Sequence, residues 1–166
     1  QAEQLTMYPG NLGHAGLRRA MAKREGEREN VNIDPDHMII TNGSMQAVTL
    51  TAEALQEDKG DTVLVEEFSY PGTLGAYRSL KLDMVGISLD EGGMRLDHME
   101  QELERLEKEG RRPKFIYAIS TYQNPTGFNM PRERRMQMIE LAARYDVPIV
   151  EDNCYADVHY EGNIEP

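Results

Sequence analysis

Phe115-Ile116-Tyr117-Ala118-Ile119, running directly into Ser120-Thr121-Tyr122-Gln123-Asn124-Pro125-Thr126-Gly127, is the stretch on which the fold turns. The apolar run is too short for a helix, and it is β-branched and aromatic with no polar alternation. That is how a strand covered on both faces reads. Asn-Pro-Thr-Gly then supplies turn chemistry. Similar runs occur at Met38-Ile39-Ile40-Thr41, Thr62-Val63-Leu64-Val65, Met84-Val85-Gly86-Ile87 and Val147-Pro148-Ile149-Val150. Pro148 lacks a ladder donor and fits only near the first residue of its strand.

Helical patterns lie between these runs. Ala47, Leu50 and Ala54 recur at helical spacing after Ser44, which reads as an N-cap. Leu96, Met99, Leu103 and Leu106 repeat the pattern, with Asp97 and Glu100 as a capping box and Gly110 as a stop. Met136, Ile139 and Ala143 mark a third helix, with Pro131 near its first turn. Residues 15–25 and 71–80 read as two more. Strands alternating with helices predict an α/β fold: a three-layer α/β/α sandwich around a mostly parallel sheet.

The 166 residues suffice for one domain, and 39% hydrophobic with 28% charged residues describes a globular chain rather than a disordered one. A formal charge of −11 argues against a nucleic-acid surface. The pairs Arg18-Arg19, Arg111-Arg112 and Arg134-Arg135 are flanked by acids and read as solvated helix faces. No apolar run approaches the roughly 20 residues that span a bilayer, and Gln1-Ala2-Glu3-Gln4 has no signal-peptide pattern. With the single cysteine, Cys154, this makes the cytoplasm the expected location. No Met stands at position 1, so a fragment of a longer product is expected.

In open parallel sheets, ligands bind beyond the carboxyl ends of the strands. Three segments qualify. Thr41-Asn42-Gly43-Ser44-Met45-Gln46 leads a glycine turn into a helix start, where backbone N–H groups and the helix dipole favour an anion such as a phosphate. An ordinary strand–turn–helix capped by Ser44 fits it as well, and it is no P-loop. Tyr122 to Gly127 is a turn in which Asn124 can present its amide to a cleft. Glu151-Asp152-Asn153-Cys154-Tyr155 ends a strand with two carboxylates, one of which can keep a heterocyclic nitrogen protonated, with Tyr155 a nearby donor. His14, His37, His98 and His159 lack metal-ligand spacing, Cys154 reads as packing, and Met130, Met136 and Met138 read as core filling.

Taken together, these segments resemble the class I/II aminotransferases of the pyridoxal-phosphate (PLP) dependent fold-type I group, in order and spacing and over essentially the whole chain. The matches are Tyr8, Gly13, Leu17 and Arg18; Asn42 to Gln46; Gly60 to Glu66; Tyr70-Pro71-Gly72; Gln123 to Gly127; and Glu151 to Tyr155. Phe68 departs from the pattern, since many relatives have proline there. The resemblance implies a partial PLP-binding large domain over residues 1–166. Asp152 would pair with the pyridine nitrogen, Asn124 and Tyr155 would bond the phenolic oxygen, and Tyr70 would stack on the ring. The N–H groups of Ser44 and Met45 would hold the phosphate, and Tyr8 would reach the phosphate of a neighbouring subunit, implying a homodimer. The Asn124-Pro125 bond is often cis in such proteins.

The group's Schiff-base lysine follows a later strand. The five lysines at 23, 59, 81, 108 and 114 all precede Tyr155, so no catalytic residue is expected in this stretch and the site is expected to be half built. For the parent protein, amino-group transfer between an amino acid and a 2-oxo acid is implied. The branch acting on kynurenine, 2-aminoadipate or aromatic substrates in amino-acid metabolism is the nearest match. A PLP β-lyase, or the aminotransferase-like sensor domain of a GntR/MocR-type transcription regulator, would use the same motifs.

Overall fold

The computed structural model describes residues 10–158, 160 and 161. Two compact units divide between Ala47 and Val48.

In the first unit, helix α1 (Ala15–Glu29) starts at His14, whose Nδ1 accepts the Leu17 N–H at 3.2 Å, and stops at Asn30 in the left-handed conformation. A 3-10 turn at Pro35–His37 follows, capped by the Asp34 side chain. Buried Arg18 ties helix to turn by donating to Asp36 at 2.9 Å and to the Pro35 carbonyl. The expected strand at Met38 to Thr41 does not form. The segment is extended at Met38 but joins no ladder; Ile40 donates to the Leu12 carbonyl at 3.0 Å, and Ile39 is exposed. An apolar β-branched run becomes a strand only where a neighbouring strand pairs with it. Gly13 is required at this contact, since a Cβ there would stand 2.8 Å from Ile40 Cβ at a φ of +85°.

Helix α2 (Ser44–Leu55) begins at Ser44 itself, so Ser44 is a first-turn residue rather than the expected N-cap. The side chain of Gln46 reaches back instead, its Oε1 accepting the Asn42 N–H at 2.6 Å.

The second unit is built on a parallel sheet in the order β2-β1-β5-β6: β1 is Thr62–Glu66, β2 Asp83–Ile87, β5 Ile116–Ala118 and β6 Ile149–Glu151. Pro148 precedes β6, and its carbonyl accepts the Ile116 N–H, so the missing donor breaks no ladder. A two-stranded antiparallel ribbon, β3 (Leu89–Asp90) with β4 (Gly93–Met94), was not expected. Its turn, Glu91-Gly92, had the glycine signal of a two-residue hairpin.

Helices cover both faces of the sheet, giving the expected three layers. On one face α4 (Leu96–Lys108) and α5 (Arg132–Arg144) pack Met99, Leu103, Leu106, Met138 and Leu141 onto Leu64, Ile116 and Ala118. On the other, α3 (Pro71–Ser79) and the second-unit part of α2 bring Tyr77, Val48 and Ala52 onto Val63, Val65, Phe115 and Tyr117. Neighbouring residues of β1 and β5 thus alternate between two cores, which is why both strands read as unbroken apolar runs.

Two helix faces differ from expectation. In α2 the buried positions are Val48 and Ala52, while Leu50 is exposed. In α5 they are Met138, Leu141 and Ala142, while Met136 and Ile139 are exposed, so Met136 fills no core. Both helices carry apolar residues at more than one helical phase, and the sheet takes only one. The capping box of α4 does not form either. Arg95 is its N-cap, and the Arg95 guanidinium engages Asp97. Its C-terminus does follow the expected stop: Gly110 adopts a φ of +69°, and Arg111 and Gly110 donate to the carbonyls of Leu106 and Glu107, the Schellman pairing.

Candidate functional site

Because β1, β5 and β6 are adjacent and parallel, their carboxyl ends share one edge of the sheet. The segments carrying Tyr70, Asn124, Asp152 and Tyr155 leave from that edge.

After β6, the Asp152 N–H still donates to the Ala118 carbonyl at 2.9 Å, which fixes its backbone to β5. The half-buried carboxylate accepts the Tyr117 hydroxyl at 2.8 Å. Burial pushes the phenols of Tyr117 and Tyr77 above the ordinary tyrosine range, and the negative charge of Asp152 adds to both shifts. The Cys154 thiol is also pushed up, by burial and then by Asp152, so it is a poor nucleophile. Buried Oδ1 of Asn153 has no hydrogen-bond partner among the described residues.

After β5, the chain turns through Tyr122 at a φ of 49°, and the Asn124-Pro125 bond is cis, as the resemblance led one to expect. Asn124 Nδ2 donates to Tyr155 Oη at 2.9 Å, bringing together two residues singled out from separate motifs. Since that oxygen accepts, Tyr155 retains its own proton for donation.

After β1, Tyr70 stands at the N-cap of α3 with Pro71 in the first turn, and it is 39% exposed. Its ring lies over Gly72; a Cβ at residue 72 would come within 2.5 Å of Tyr70 Cε1. The glycine therefore lets the ring occupy this place.

Two residues to which the sequence reading gave no role hold these segments in register. Glu66 and Gln123 are fully buried. Gln123 Nε2 donates to Glu66 Oε2 at 3.0 Å and to the Phe68 carbonyl at 2.7 Å. Its Oε1 accepts from the backbone and the hydroxyl of Thr126, at 3.0 and 2.7 Å. With both donors and both lone pairs engaged, the amide has one orientation, and Asn124 is strung between Gln123 and Thr126. Glu66 also accepts from Ser69 Oγ at 3.1 Å and from the Ile119 N–H at 3.2 Å. Burial raises its pKa, the three donors pull it back, and the charge of Asp152 raises it further. Both residues lie within the motifs quoted above; for Glu66, a polar side chain closing an apolar strand was the available signal.

Ser44 and Met45 stand in the first turn of α2, in the first unit. Tyr8 and His159 lie outside the described residues. Among the described residues no cluster of His, Cys, Asp and Glu has the makings of a metal site. The Nδ1 of His98 is taken by the Ser88 N–H at 3.0 Å, a structural role. No described helix is long and apolar enough to cross a membrane.

Comparison with known proteins agrees with this geometry. Residues 1–165 match the family model "Aminotransferase class I and II". The chain is 38% identical over 161 residues to aromatic-amino-acid aminotransferase 1 of Thermococcus litoralis, covering 97% of this chain and 38% of that protein. It is 30% identical over 150 residues to the uncharacterized HTH-type transcriptional regulator YdcR of Escherichia coli, covering 89% of this chain and 30% of that one. The structure of Pyrococcus horikoshii kynurenine aminotransferase, in complex with PMP and kynurenine, superposes with a TM-score of 0.89 at 34% identity, covering 98% of this chain and 40% of that one. The chain thus spans about two fifths of the length of the aminotransferases it matches. On a match that runs from residue 1 to residue 165, the chain belongs to the class I and II aminotransferase family.

Proposed function

We propose that the whole protein is a PLP-dependent aminotransferase, passing an amino group between an amino acid and a 2-oxo acid, and that this chain is part of its PLP-binding large domain. The observation that carries the reading is the juxtaposition of the Asp152 carboxylate, held by Tyr117, with the Asn124–Tyr155 pair at one sheet edge. That set fits the ring of PLP. It offers one acidic acceptor for a protonated ring nitrogen, and a separate amide–phenol pair for an ionised ring oxygen. When bound, PLP supplies an electron-withdrawing ring that takes up the electron pair left as the amino acid's Cα–H bond breaks.

The chain's residues do the holding. Asp152 keeps a proton at the ring nitrogen by offering it a negative partner. Tyr155, its oxygen already accepting from Asn124, donates its proton to the ring oxygen, and the Asn124 amide shares that task. Tyr70 covers one face of the ring. The phosphate is assigned to the first-turn N–H groups of Ser44 and Met45, and to Tyr8 of a second subunit, on the resemblance alone. A homodimer in the cytoplasm is part of the same reading, and the outward Leu50 of α2 is consistent with a covering partner. The relatives' names favour aromatic or 2-aminoadipate-type donors.

A PLP titration followed by absorbance tests the half-site. Saturable binding is expected, weakened at least tenfold (about 1.4 kcal/mol) in Asp152→Ala. Equal binding by both proteins would sink the assignment of Asp152. The likeness to the HTH-type regulator supports a second reading, a sensor that binds PLP without turnover. Transfer of the amino group from an aromatic amino acid to 2-oxoglutarate by the whole protein separates the two, since a sensor would show none.

A further inference from the structure

Tyr117 is fully buried on β5, in edge-on contact with the Tyr77 ring at a centroid separation of 5.7 Å. A phenylalanine would fill the same space without taking a hydroxyl out of water. The hydroxyl therefore calls for its own explanation. It meets two oxygens, Asp152 Oδ2 at 2.8 Å and Thr73 Oγ1 at 3.1 Å. A phenol has one proton, and a carboxylate only accepts, so that proton goes to Asp152 and Thr73 must supply the proton of the other bond. The order is fixed: Thr73 to Tyr117 to Asp152. Thr73 is itself fully buried, on the first turn of α3, two residues beyond Pro71. The relay thus links the helix that opens at Tyr70 to the carboxylate at the end of β6.

We propose that Tyr117 is a positioning residue for the cofactor: its hydroxyl, oriented by Thr73, holds the Asp152 carboxylate in one rotamer as the acceptor for the ring nitrogen of a bound PLP, so that this nitrogen stays protonated. This rests on the reading of Asp152 given above. A hydrogen bond donated to a carboxylate stabilises its charged form. Beside a protonated ring nitrogen, that stabilisation keeps the proton on the ring rather than on the acid. The donor is dependable, because burial and the Asp152 charge keep Tyr117 protonated well beyond the neutral range. Among the described residues, Thr73 and Asp152 are the side chains hydrogen-bonded to this hydroxyl.

The test uses the full-length protein loaded with PLP labelled with ¹⁵N at the ring nitrogen. Tyr117→Phe is expected to weaken PLP binding about 10-fold, the size of one hydrogen bond to a charged group. The ring-nitrogen resonance should move toward its unprotonated position. Thr73→Val leaves the Tyr117–Asp152 bond in place and should move both readouts in the same direction by a smaller amount, about threefold in affinity. Weaker binding with an unmoved resonance would mean that Tyr117 only packs, and would overturn the proposal. So would a folded Tyr117→Phe protein within about twofold of wild type on affinity with no spectral change. If Tyr117→Phe does not fold, the same two readouts on Thr73→Val decide. Asp152→Ala, run alongside, keeps the two readings apart. Unchanged PLP affinity in that variant defeats the half-site itself, whereas a large loss there with silent Tyr117→Phe and Thr73→Val defeats only the relay.

Discussion

The two faces of the sheet are packed from different materials. Under α4 and α5 the core is leucine, isoleucine, valine, methionine and alanine, and its buried members carry no side-chain nitrogen or oxygen. Under α3 and the second-unit part of α2 it holds Tyr77, Phe115 and Tyr117, with ring centroids 5.3 and 5.7 Å apart in edge-on contacts. The same strands serve both, since successive residues of β1 and β5 point to opposite sides. What differs is what each side must reach. The aliphatic face only has to exclude water. The aromatic face runs up to Asp152, and a phenol is the side chain that packs like a hydrocarbon at one end and donates a hydrogen bond at the other. One side of a sheet can thus be generic while the other is written for a site.

The sharpest way to break this contrast is to damage the aliphatic side. Leu106, on the sheet-facing side of α4, is fully buried. Leu106→Ala should lower the unfolding free energy by about 3 kcal/mol, through lost transfer energy and a residual cavity. Urea unfolding reads that loss. PLP affinity of the native population should stay within about twofold of wild type. A matching loss of affinity would show that the two faces are not separable.

Between the faces, at the end of β1, Glu66 gives a smaller effect with a definite sign. Its pKa is raised above the ordinary glutamate value of 4.5, chiefly by burial. A group that holds its proton more tightly when folded contributes most below its unfolded value and loses that contribution as pH rises through the folded one. Wild type should therefore lose stability relative to Glu66→Gln as pH increases from about 4.5 toward neutrality. Parallel curves across that window would mean that the three donors at Glu66 fully offset its burial.

Legibility followed the same division. Leu96, Met99, Leu103 and Leu106 of α4 were readable because that helix has a single apolar stripe on a strongly charged background. Strands β1 and β5 were readable because burial on both faces leaves an unbroken apolar run, whereas the outer strands β2 and β6, only partly buried, were readable from their short apolar composition. The segment from Met38 to Thr41 carries the same signal without a ladder, since pairing is decided by what lies beside a strand rather than by its composition. At the site, Asn124, Asp152, Tyr155 and Tyr70 stood out as motif residues, and the structure bonds Asn124 to Tyr155. Glu66, Gln123, Thr73 and Tyr117 were hidden in plain view. Each is a polar group buried between segments distant in sequence, and only the fold brings its partner within reach.

The misread helix face offers the smallest and most pointed measurement. Met136 and Met138 are both in α5, and both looked like core. Two residues apart on a helix is roughly 200° of rotation, so they cannot share a face. The structure buries Met138 against the aliphatic core and leaves Met136 45% exposed. Met136→Gln should change the stability of this chain by about 0.5 kcal/mol or less, as surface substitutions do. Met138→Gln places an amide without partners in the aliphatic core and should lower it by about 3 kcal/mol. Equal losses in paired urea titrations would place Met136 inside as well, and the difference between the two faces of the sheet would then extend to a second buried side of α5.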